Sequence, residues 1–290
     1  MAKKNRSTSV FAESGHFYSP IQDPKEVETY LASALYQRQR TRVDALLDYP
    51  GMAQIWRQIR VGVVAFPLMP ELGFRYYIAN NQFQMIDSAV ASAMLTHLNP
   101  TRIVEIGCGF STAAMFDTID RMAAPRLQNF TCIDPDMSRL DALSLSGKIE
   151  RRAERVQDVD LAVFAELKAG DILFIDSSHV LKAASDVHYE YLHILPSLPS
   201  GVIVHIHDVF YPFEYPRQWL LREVRAWNEA YLVDMMLTYG NGYEVLFFNH
   251  AMIENYPSVL DEELRLLERE KELRPRAHQR TNGSIWLKKR

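Results

Sequence analysis

The sequence predicts an α/β fold, in which a mostly parallel sheet carries helices on both of its faces. Short β-rich segments alternate with helical segments from residue 102 onward, and this alternation is typical of βαβ units. Two of the segments, DILFID and GVIVHIHD, are continuous apolar runs, as expected of strands that are covered on both faces. Helical periodicity before residue 102 adds an N-terminal helical extension to the sheet.

The extension opens with a helix-start pattern. Asp23 precedes Pro24, and an acidic N-cap followed by proline is typical of a helix N-terminus. From residue 23 to residue 59, apolar residues recur at spacings of three and four, as Val27 and Leu31 do. This periodicity predicts helix over most of the range.

The sequence pattern of residues 61–98 divides the chain into two parts. Residues 61–77 are apolar and interrupted by prolines, which indicates a linking loop or a short strand. Residues 83–98 are again helical in pattern and lead into the βα region. We therefore assign residues 1–80 to the helical extension and residues 81–290 to the main domain.

Seven strands are predicted in the main domain. Each is a short β-rich run bounded by turn residues. They cover residues 102–106, 129–133, 151–156, 171–175, 201–207, 243–248 and 284–288. Between the last two, the charged segment 259–273 has leucines on one face and predicts a helix.

Composition limits the class of protein. The chain has 290 residues, of which 48% are apolar, so it can bury a sizeable core. A formal net charge of -4 argues against a nucleic-acid-binding surface. Two cysteines in this length form no disulfide scaffold, and no apolar run is long enough to cross a membrane. We expect a cytoplasmic protein with a small-molecule partner, and a homo-oligomer remains open.

The turn after the first predicted strand indicates a ligand site. The strand ends in Glu105-Ile106-Gly107-Cys108-Gly109, and a helix begins near Ser111. Glycines let the backbone turn tightly and approach a ligand closely. A dinucleotide-binding loop would have a third glycine near Thr112, which is absent. The carboxylate of Glu105 suits a cationic ligand such as S-adenosylmethionine, although a surface acid beside an ordinary turn is the alternative.

Two further acids follow the next strands. Asp134 ends the second predicted strand, where a carboxylate can accept hydrogen bonds from both hydroxyls of a ribose. Asp158 follows the third, where it can bond the edge of an adenine. Either acid can instead be a helix N-cap, and for Asp158 the two roles are equally supported.

The motifs EIGCGFS, CIDPD, VQDV, ILFIDSSH and GVIVHIHD together resemble those of class I S-adenosylmethionine-dependent methyltransferases. The resemblance covers roughly residues 80–290. It implies a Rossmann-like seven-stranded sheet of order 3-2-1-4-5-7-6 with strand 7 antiparallel. By the same resemblance, the loop of Glu105, Gly107, Gly109 and Ser111 lines the methionine end of S-adenosylmethionine. Asp134 and Asp158 would hold the ribose and the adenine.

Polar residues after the fourth and fifth strands predict a reaction centre. Ligands in open α/β sheets bind beyond the carboxyl ends of the strands, so Asp176, His179, His207 and Asp208 should converge there. Asp176, His207 and Asp208 are candidate ligands of a divalent metal, as in the metal-dependent small-molecule and sugar O-methyltransferases, which the segment resembles. His207 departs from that pattern, which has an acid at this position. A structural hydrogen-bond network is the alternative.

His179 is the candidate general base, and Asp176 and Asp208 are the other two candidate catalytic residues. Its ordinary pKa lies close to the working pH of most enzymes. Methyl transfer to an alcohol needs such a base, or a metal, because a neutral hydroxyl is a poor nucleophile. A capping or packing role for His179 is equally open.

An aromatic segment follows the fifth strand and offers candidate substrate contacts. Its rings at Tyr211, Phe213, Tyr215 and Trp219 suit stacking on a sugar or a planar acceptor. A cap or dimer contact is the alternative. Residues 16–18, also aromatic, are a candidate lid over the same opening.

These observations favour an S-adenosylmethionine-dependent O-methyltransferase for a small hydroxylated molecule such as a sugar, glycoside or natural product. Two other hypotheses remain. One is a metal-dependent enzyme of another reaction type on the same sheet, and the other is a non-catalytic cofactor-binding module.

Overall fold

A computed structural model of the chain describes residues 11–66, 73–77, 80, 82–143, 145, 149–260 and 283–290. Its centre is a seven-stranded sheet of order β3-β2-β1-β4-β5-β7-β6. The strands are β1 Arg102–Ile106, β2 Asn129–Ile133, β3 Ile149–Arg152, β4 Ile172–Ile175, β5 Ile203–His207, β6 Tyr243–Phe248 and β7 Ser284–Lys289. All neighbouring pairs are parallel except those that β7 makes with β5 and β6. The predicted order and the antiparallel seventh strand are confirmed.

The predicted third strand was placed too late in the chain. It was expected at residues 151–156, but β3 runs from Ile149 to Arg152 and the chain then enters a short 3-10 turn, Val156–Asp158. As an edge strand, β3 pairs only with β2, and the pairing stops where β2 ends, with Arg152 opposite Ile133. The register of the neighbour, rather than β-propensity, therefore fixes where this strand ends.

Twelve α-helical segments accompany the sheet in the described residues. They are α1 Pro24–Leu31, α2 Ala34–Leu46, α3 Tyr49–Val64, α4 Met85–Leu98, α5 Phe110–Ile119, α6 Ser138–Asp141, α7 Ala162–Ala165, α8 Asp186–Tyr189, α9 Leu195–Ser197, α10 Arg217–Leu221, α11 Glu229–Tyr239 and α12 Asn249–Asn255. A π-helical segment, Glu190–Ile194, joins α8 to α9.

The helical region before residue 60 consists of three helices, each begun by a side-chain cap. Asp23, Ser33 and Asp48 each accept a backbone N–H in the first turn of the helix that follows. Such caps satisfy amide groups that have no partner within the helix. The third helix continues into the apolar segment predicted as a loop or strand, as far as Val64. Residues 67–72 and 261–282, which hold most of the predicted helix 259–273, lie outside the described residues.

The hydrophobic core is continuous between the extension and the sheet. Trp56 on α3 is buried and stacks on Phe247 of β6, with ring centroids 6.0 Å apart. Gly62, also on α3, lies close to Ala93 of α4. The division at residue 80 stays a prediction, but apolar packing crosses it. No helix among the described residues combines the length and apolar character needed to cross a membrane.

Candidate active site

A cavity of about 810 Å³ lies at the carboxyl ends of the central parallel strands. Its wall includes one predicted site residue from the end of each of four strands: Gly107 after β1, Asp134 after β2, Asp176 after β4 and Asp208 after β5. Residues that are far apart in sequence meet here because parallel strands end at the same edge of a sheet.

Gly107 is required where β1 and β4 approach each other. Its φ is +81°, and a Cβ atom at this position would lie 1.8 Å from the carbonyl oxygen of Asp176. A residue with a side chain would therefore push the first loop away from Asp176. This contact holds the predicted cofactor loop against the strand that carries the reaction-centre acid.

Glu105 lies behind this loop rather than on the cavity wall. The side chain is fully buried, and its two oxygens accept the hydroxyls of Ser111 and Thr112, each at 2.6 Å. Burial raises the pKa of this carboxyl to about 8, despite those hydrogen bonds. Glu105 thus fixes the start of α5, and of these residues only Ser111 reaches the cavity. Its direct contact with a cofactor stays a prediction.

Asp134 lies on the cavity wall, as predicted. It accepts the backbone N–H of Cys108 at 3.0 Å and that of Asp136 at 2.8 Å, one on each carboxylate oxygen. Each oxygen keeps a second lone pair. The carboxylate is therefore held in place and can still accept hydroxyl groups from a ligand.

Asp158 lies away from the cavity. Its exposed carboxylate is paired at 2.8 and 2.9 Å with the guanidinium of Arg155, which itself lines the cavity. That pairing lowers the pKa of Asp158. The neighbouring Gln157 lines the cavity instead. Gln157 and Asp158 are adjacent in the motif VQDV, and the three-residue helical turn decides which of the two side chains points inward.

His179 stands at the centre of the acidic end of the cavity. Its Nε2 atom lies 3.5 Å from Asp176 Oδ1 and 3.6 Å from Asp208 Oδ2. On the other side of the ring, Nδ1 is 2.8 Å from Glu229 Oε2. Because an ionised carboxylate only accepts hydrogen bonds, Nδ1 carries the hydrogen and donates it to Glu229. In the neutral ring, the lone pair of Nε2 then faces the cavity.

Glu229 was missed by the sequence analysis. It is the first residue of α11, is buried, and accepts the Tyr191 hydroxyl on its second oxygen at 3.1 Å. Two ties bring it to His179. The backbone N–H groups of Asn228 and Glu229 donate to the His179 carbonyl, and Asn228 also binds the backbone of Leu181. The one signal in the sequence is an Asn-Glu pair at a helix start, which is too common to mark a site.

The carboxylates around His179 change its acidity. Burial alone would lower the pKa of His179, but contact with Asp176 and Glu229 and the charge of Asp208 outweigh it, so its pKa lies well above 6.5. Burial raises the pKa of Asp208, whereas the pKa of Asp176 is lowered because the charges of His207 and His179 outweigh its burial. The site therefore holds a cationic imidazole among anionic groups at neutral pH.

His207 is buried beside this cluster but does not reach the cavity wall. Its Nε2 lies 3.3 Å from the backbone carbonyl of Gln82, and its Nδ1 lies 3.2 Å from Ser284 Oγ. A metal ligand must offer a lone pair, and both nitrogens of this ring are already engaged. The predicted metal-binding set of Asp176, His207 and Asp208 therefore does not suit a divalent metal in this arrangement.

The distances between potential metal-ligating atoms also argue against a metal site formed by Asp176, His207 and Asp208. Among the described residues, the one group of three acidic, histidine or cysteine side chains with ligand atoms within 4.8 Å of one another is Glu105, Cys108 and Cys132. It is buried beneath the cofactor loop, where burial raises the pKa of the Glu105 carboxyl to about 8. The hydrogen bond with Cys108 would lower the pKa of the Cys132 thiol, but burial and the charge of Glu105 outweigh it and raise this pKa. Both thiols are free and buried.

The predicted aromatic substrate residues separate into two groups. Tyr211, Phe213 and Tyr215 are buried and pack in the interior, where for example the Tyr211 hydroxyl donates to Asp44 at 2.8 Å. Only Trp219 reaches the cavity. The spacing of the aromatic residues could not predict which rings face the cavity, because the backbone here is irregular and Phe213 has a φ of +66°.

Two residues that the sequence analysis missed complete the aromatic wall beside Trp219. Trp227 lies with its ring centroid 4.4 Å from that of His179, and Arg225 stacks over Trp219 at 3.8 Å. All three line the cavity. The suggested lid at residues 16–18 does not line it, and Phe17 and Tyr18 are exposed.

Comparison with known proteins identifies the family. The chain matches the family model described as a methyltransferase domain over residues 104–209, the stretch that supplies Gly107, Asp134, Asp176 and His179. The chain belongs to the class I S-adenosylmethionine-dependent methyltransferases. This methyltransferase is also 33% identical over 165 residues to an uncharacterized protein of Archaeoglobus fulgidus, a match that covers 53% of this chain and 72% of the relative.

The methyltransferase also has distant likenesses among solved structures. The SAH-bound Podospora anserina methyltransferase PaMTH1 is 12% identical, with a TM-score of 0.42 over 83% of this chain and 88% of the other. The structure of cmcI-D160 with Mg-SAM is 18% identical, with a TM-score of 0.38 over 70% and 71% of the two chains.

Proposed function

We propose that this methyltransferase methylates a hydroxyl group of a small acceptor, such as a sugar, glycoside or natural product, with His179 as the general base. The observation that carries the proposal is the environment of His179. Its Nδ1 atom is fixed by Glu229 while Nε2 faces the cavity between Asp176 and Asp208. An imidazole held in one tautomer by a buried carboxylate is the arrangement that general-base catalysis requires.

The cavity supports binding of the cofactor next to that base. Gly107 lets the loop after β1 lie directly against the backbone of Asp176, and Asp134 offers lone pairs for the two hydroxyls of a ribose. S-adenosylmethionine, when bound, supplies an electrophilic methyl group on a positively charged sulfur. The acids at this end of the cavity favour that charge.

The chain's own residues would then act on the acceptor hydroxyl. As the hydroxyl oxygen forms its bond to the methyl carbon, its proton passes to Nε2 of His179, and the electron pair of the broken S–CH3 bond stays on sulfur. Glu229 stabilises the imidazolium that results. Asp208 and Asp176 lie at 3.5 to 3.6 Å from the same nitrogen and would orient the hydroxyl. Trp219 and Trp227 would flank the body of the acceptor.

The test is methyl transfer measured by mass spectrometry. Purified protein is incubated with S-adenosylmethionine and a panel of sugars, glycosides and phenolic compounds, and products heavier by one methylene unit are sought. For an accepted compound, His179→Ala should lower kcat by about 10²–10⁴-fold, the usual contribution of a general base.

His188→Ala is the matched control. His188 lies on α8, nine residues further along the chain and away from the cavity wall, so its removal should leave kcat unchanged. Full activity in His179→Ala, or methylation confined to nitrogen acceptors, would overturn the proposal.

A further inference from the structure

The hydrogen bonds of His207 define its protonation state. The Gln82 carbonyl can only accept, so Nε2 of His207 donates to it at 3.3 Å. On the other side of the ring, the Ser284 hydroxyl gives its hydrogen to Asp87 Oδ1 at 2.8 Å, and its oxygen is therefore left to accept from Nδ1 of His207 at 3.2 Å. Both ring nitrogens then carry hydrogen, and the ring is an imidazolium.

Buried carboxylates surround this cation. Asp208 Oδ1 lies 3.6 Å from Nε2, and Asp87 on α4 is joined to Nδ1 through Ser284. Asp87 also accepts the Asn249 amide at 2.8 Å and is almost completely buried. Asp176 adds a third negative charge, and His179 opposes it with a positive one. An unpaired buried charge is costly, so the imidazolium and these carboxylates depend on each other.

The protonation state of Asp87 supports this pairing. Burial raises the pKa of Asp87 to about 6, so this carboxyl is mostly ionised at pH 7. The Ser284 hydroxyl therefore donates to Asp87, and its oxygen is free to accept from His207.

We propose that the His207 imidazolium takes the place of a divalent metal ion beside Asp208, so that this enzyme needs no such ion at its reaction centre. His179 lies between the acids at the ends of β4 and β5, and His207 adds a second positive charge beside Asp208 from within the core. The meaning of this for catalysis rests on the proposed function, but the protonation of His207 and the lack of a metal site can be measured without methyl transfer.

The decisive experiment is an isothermal titration calorimetry measurement. The protein is first treated with a chelator and is then titrated with Mn²⁺ and with Zn²⁺. The wild-type protein should show no saturable binding that depends on Asp208. His207→Glu places a third carboxylate beside Asp176 and Asp208, which supplies the oxygen ligands that Mn²⁺ prefers. This variant should gain saturable Mn²⁺ binding.

His207→Gln is the matched control, because glutamine has the shape of glutamate without its charge. It should remove the cation and gain no Mn²⁺ site. Circular dichroism and a thermal shift with S-adenosylmethionine establish that each variant is folded. Nitrogen NMR of the wild-type His207 ring at pH 7 gives an independent result even if a variant fails to fold, and both ring nitrogens should be protonated.

Three results would overturn the proposal. They are saturable metal binding by the wild type that Asp208→Asn abolishes, a neutral His207 ring with a free lone pair, and a folded His207→Glu variant that binds no Mn²⁺. Failure to find any methyl acceptor would instead count against the proposed function and leave these measurements unaffected.

Discussion

His179 can accept a proton only in its neutral form, so its surroundings set the pH range of the reaction. The contacts with Asp176 and Glu229 raise the pKa of His179 well above 6.5. At pH values below that raised pKa, the ring is an imidazolium and cannot act as a base. The kcat/KM of the wild-type enzyme should therefore rise with pH and level off only on the alkaline side of 6.5.

Replacement of one carboxylate tests this electrostatic argument. Glu229→Gln keeps the shape of the side chain but removes the charge 2.8 Å from Nδ1. Loss of an opposite charge at this distance should lower the pKa of His179, and the inflection of the pH–rate profile should move to lower pH. The limiting kcat should fall, because the imidazolium formed in the reaction loses its partner.

Tyr191→Phe is the control for Glu229→Gln. It removes the hydroxyl that binds the other oxygen of Glu229 but keeps the charge. Its pH profile should keep its inflection near that of the wild type. An unchanged profile in Glu229→Gln would show that the carboxylate has only a structural role.

Asp134 and Asp158 give a second comparison between single residues. Asp134→Ala should weaken S-adenosylmethionine binding by about 10- to 100-fold, since a hydrogen bond to a charged group contributes about 1.5–3 kcal/mol. Asp158→Ala should change the affinity far less, because the Asp158 carboxylate does not line the cavity and reaches it only through its partner Arg155. Isothermal titration calorimetry measures both, and equal losses in the two variants would contradict this assignment.

Local sequence patterns could predict some of these residues and not others. Gly107, Asp134 and Asp176 follow strands directly, so the end of each strand fixes their position. Glu229 lies 50 residues from His179 in sequence, and the two meet only because α11 docks on the loop after β4. A tertiary contact of this kind leaves no periodic or local signal in the sequence.

At the scale of elements, the connection from β1 to α5 is held by one buried acid. Burial raises the pKa of Glu105 from 4.5 to about 8, so between these values the folded protein holds a proton that the unfolded chain has released. The contribution of Glu105 to stability is therefore complete below pH 4.5 and is lost as the pH rises to 8. The identity of the strand was predictable, but the role of this residue was not, because burial alone distinguishes a supporting acid from a ligand-binding one.

The variant Glu105→Gln should reveal this loss. Glutamine does not titrate and can still bond the hydroxyls of Ser111 and Thr112. Its free energy of unfolding should improve relative to the wild type by up to about 1.4 kcal/mol for each pH unit across that range. Urea denaturation at several pH values measures the difference. Glu166→Gln, at an exposed acid that pairs with Arg102 of β1, is the control and should show no such trend.

At the scale of the whole molecule, the helices before residue 80 and the sheet share one core. The periodicity predicted helices in the extension, but not which faces of the sheet they cover. That information depends on packing between α3, α4 and the far edge of the sheet, where Trp56 meets Phe247. The sheet order itself was implied by family resemblance, because strand propensity contains no information about which strands are neighbours.

Removal of one ring tests whether the extension and the sheet unfold together. Trp56 is 2% exposed, and Trp56→Ala should lower the free energy of unfolding of the whole protein by about 3–5 kcal/mol, the usual cost of deleting a large buried aromatic side chain. Val61 on the same helix is 72% exposed, and Val61→Ala should change stability by less than about 0.5 kcal/mol. As the urea concentration rises, the circular dichroism signal of the helices and the binding of S-adenosylmethionine should be lost together, in one transition. If Trp56→Ala instead melts the helices while cofactor binding survives, the extension is a separate unit and the shared core does not couple it to the active site.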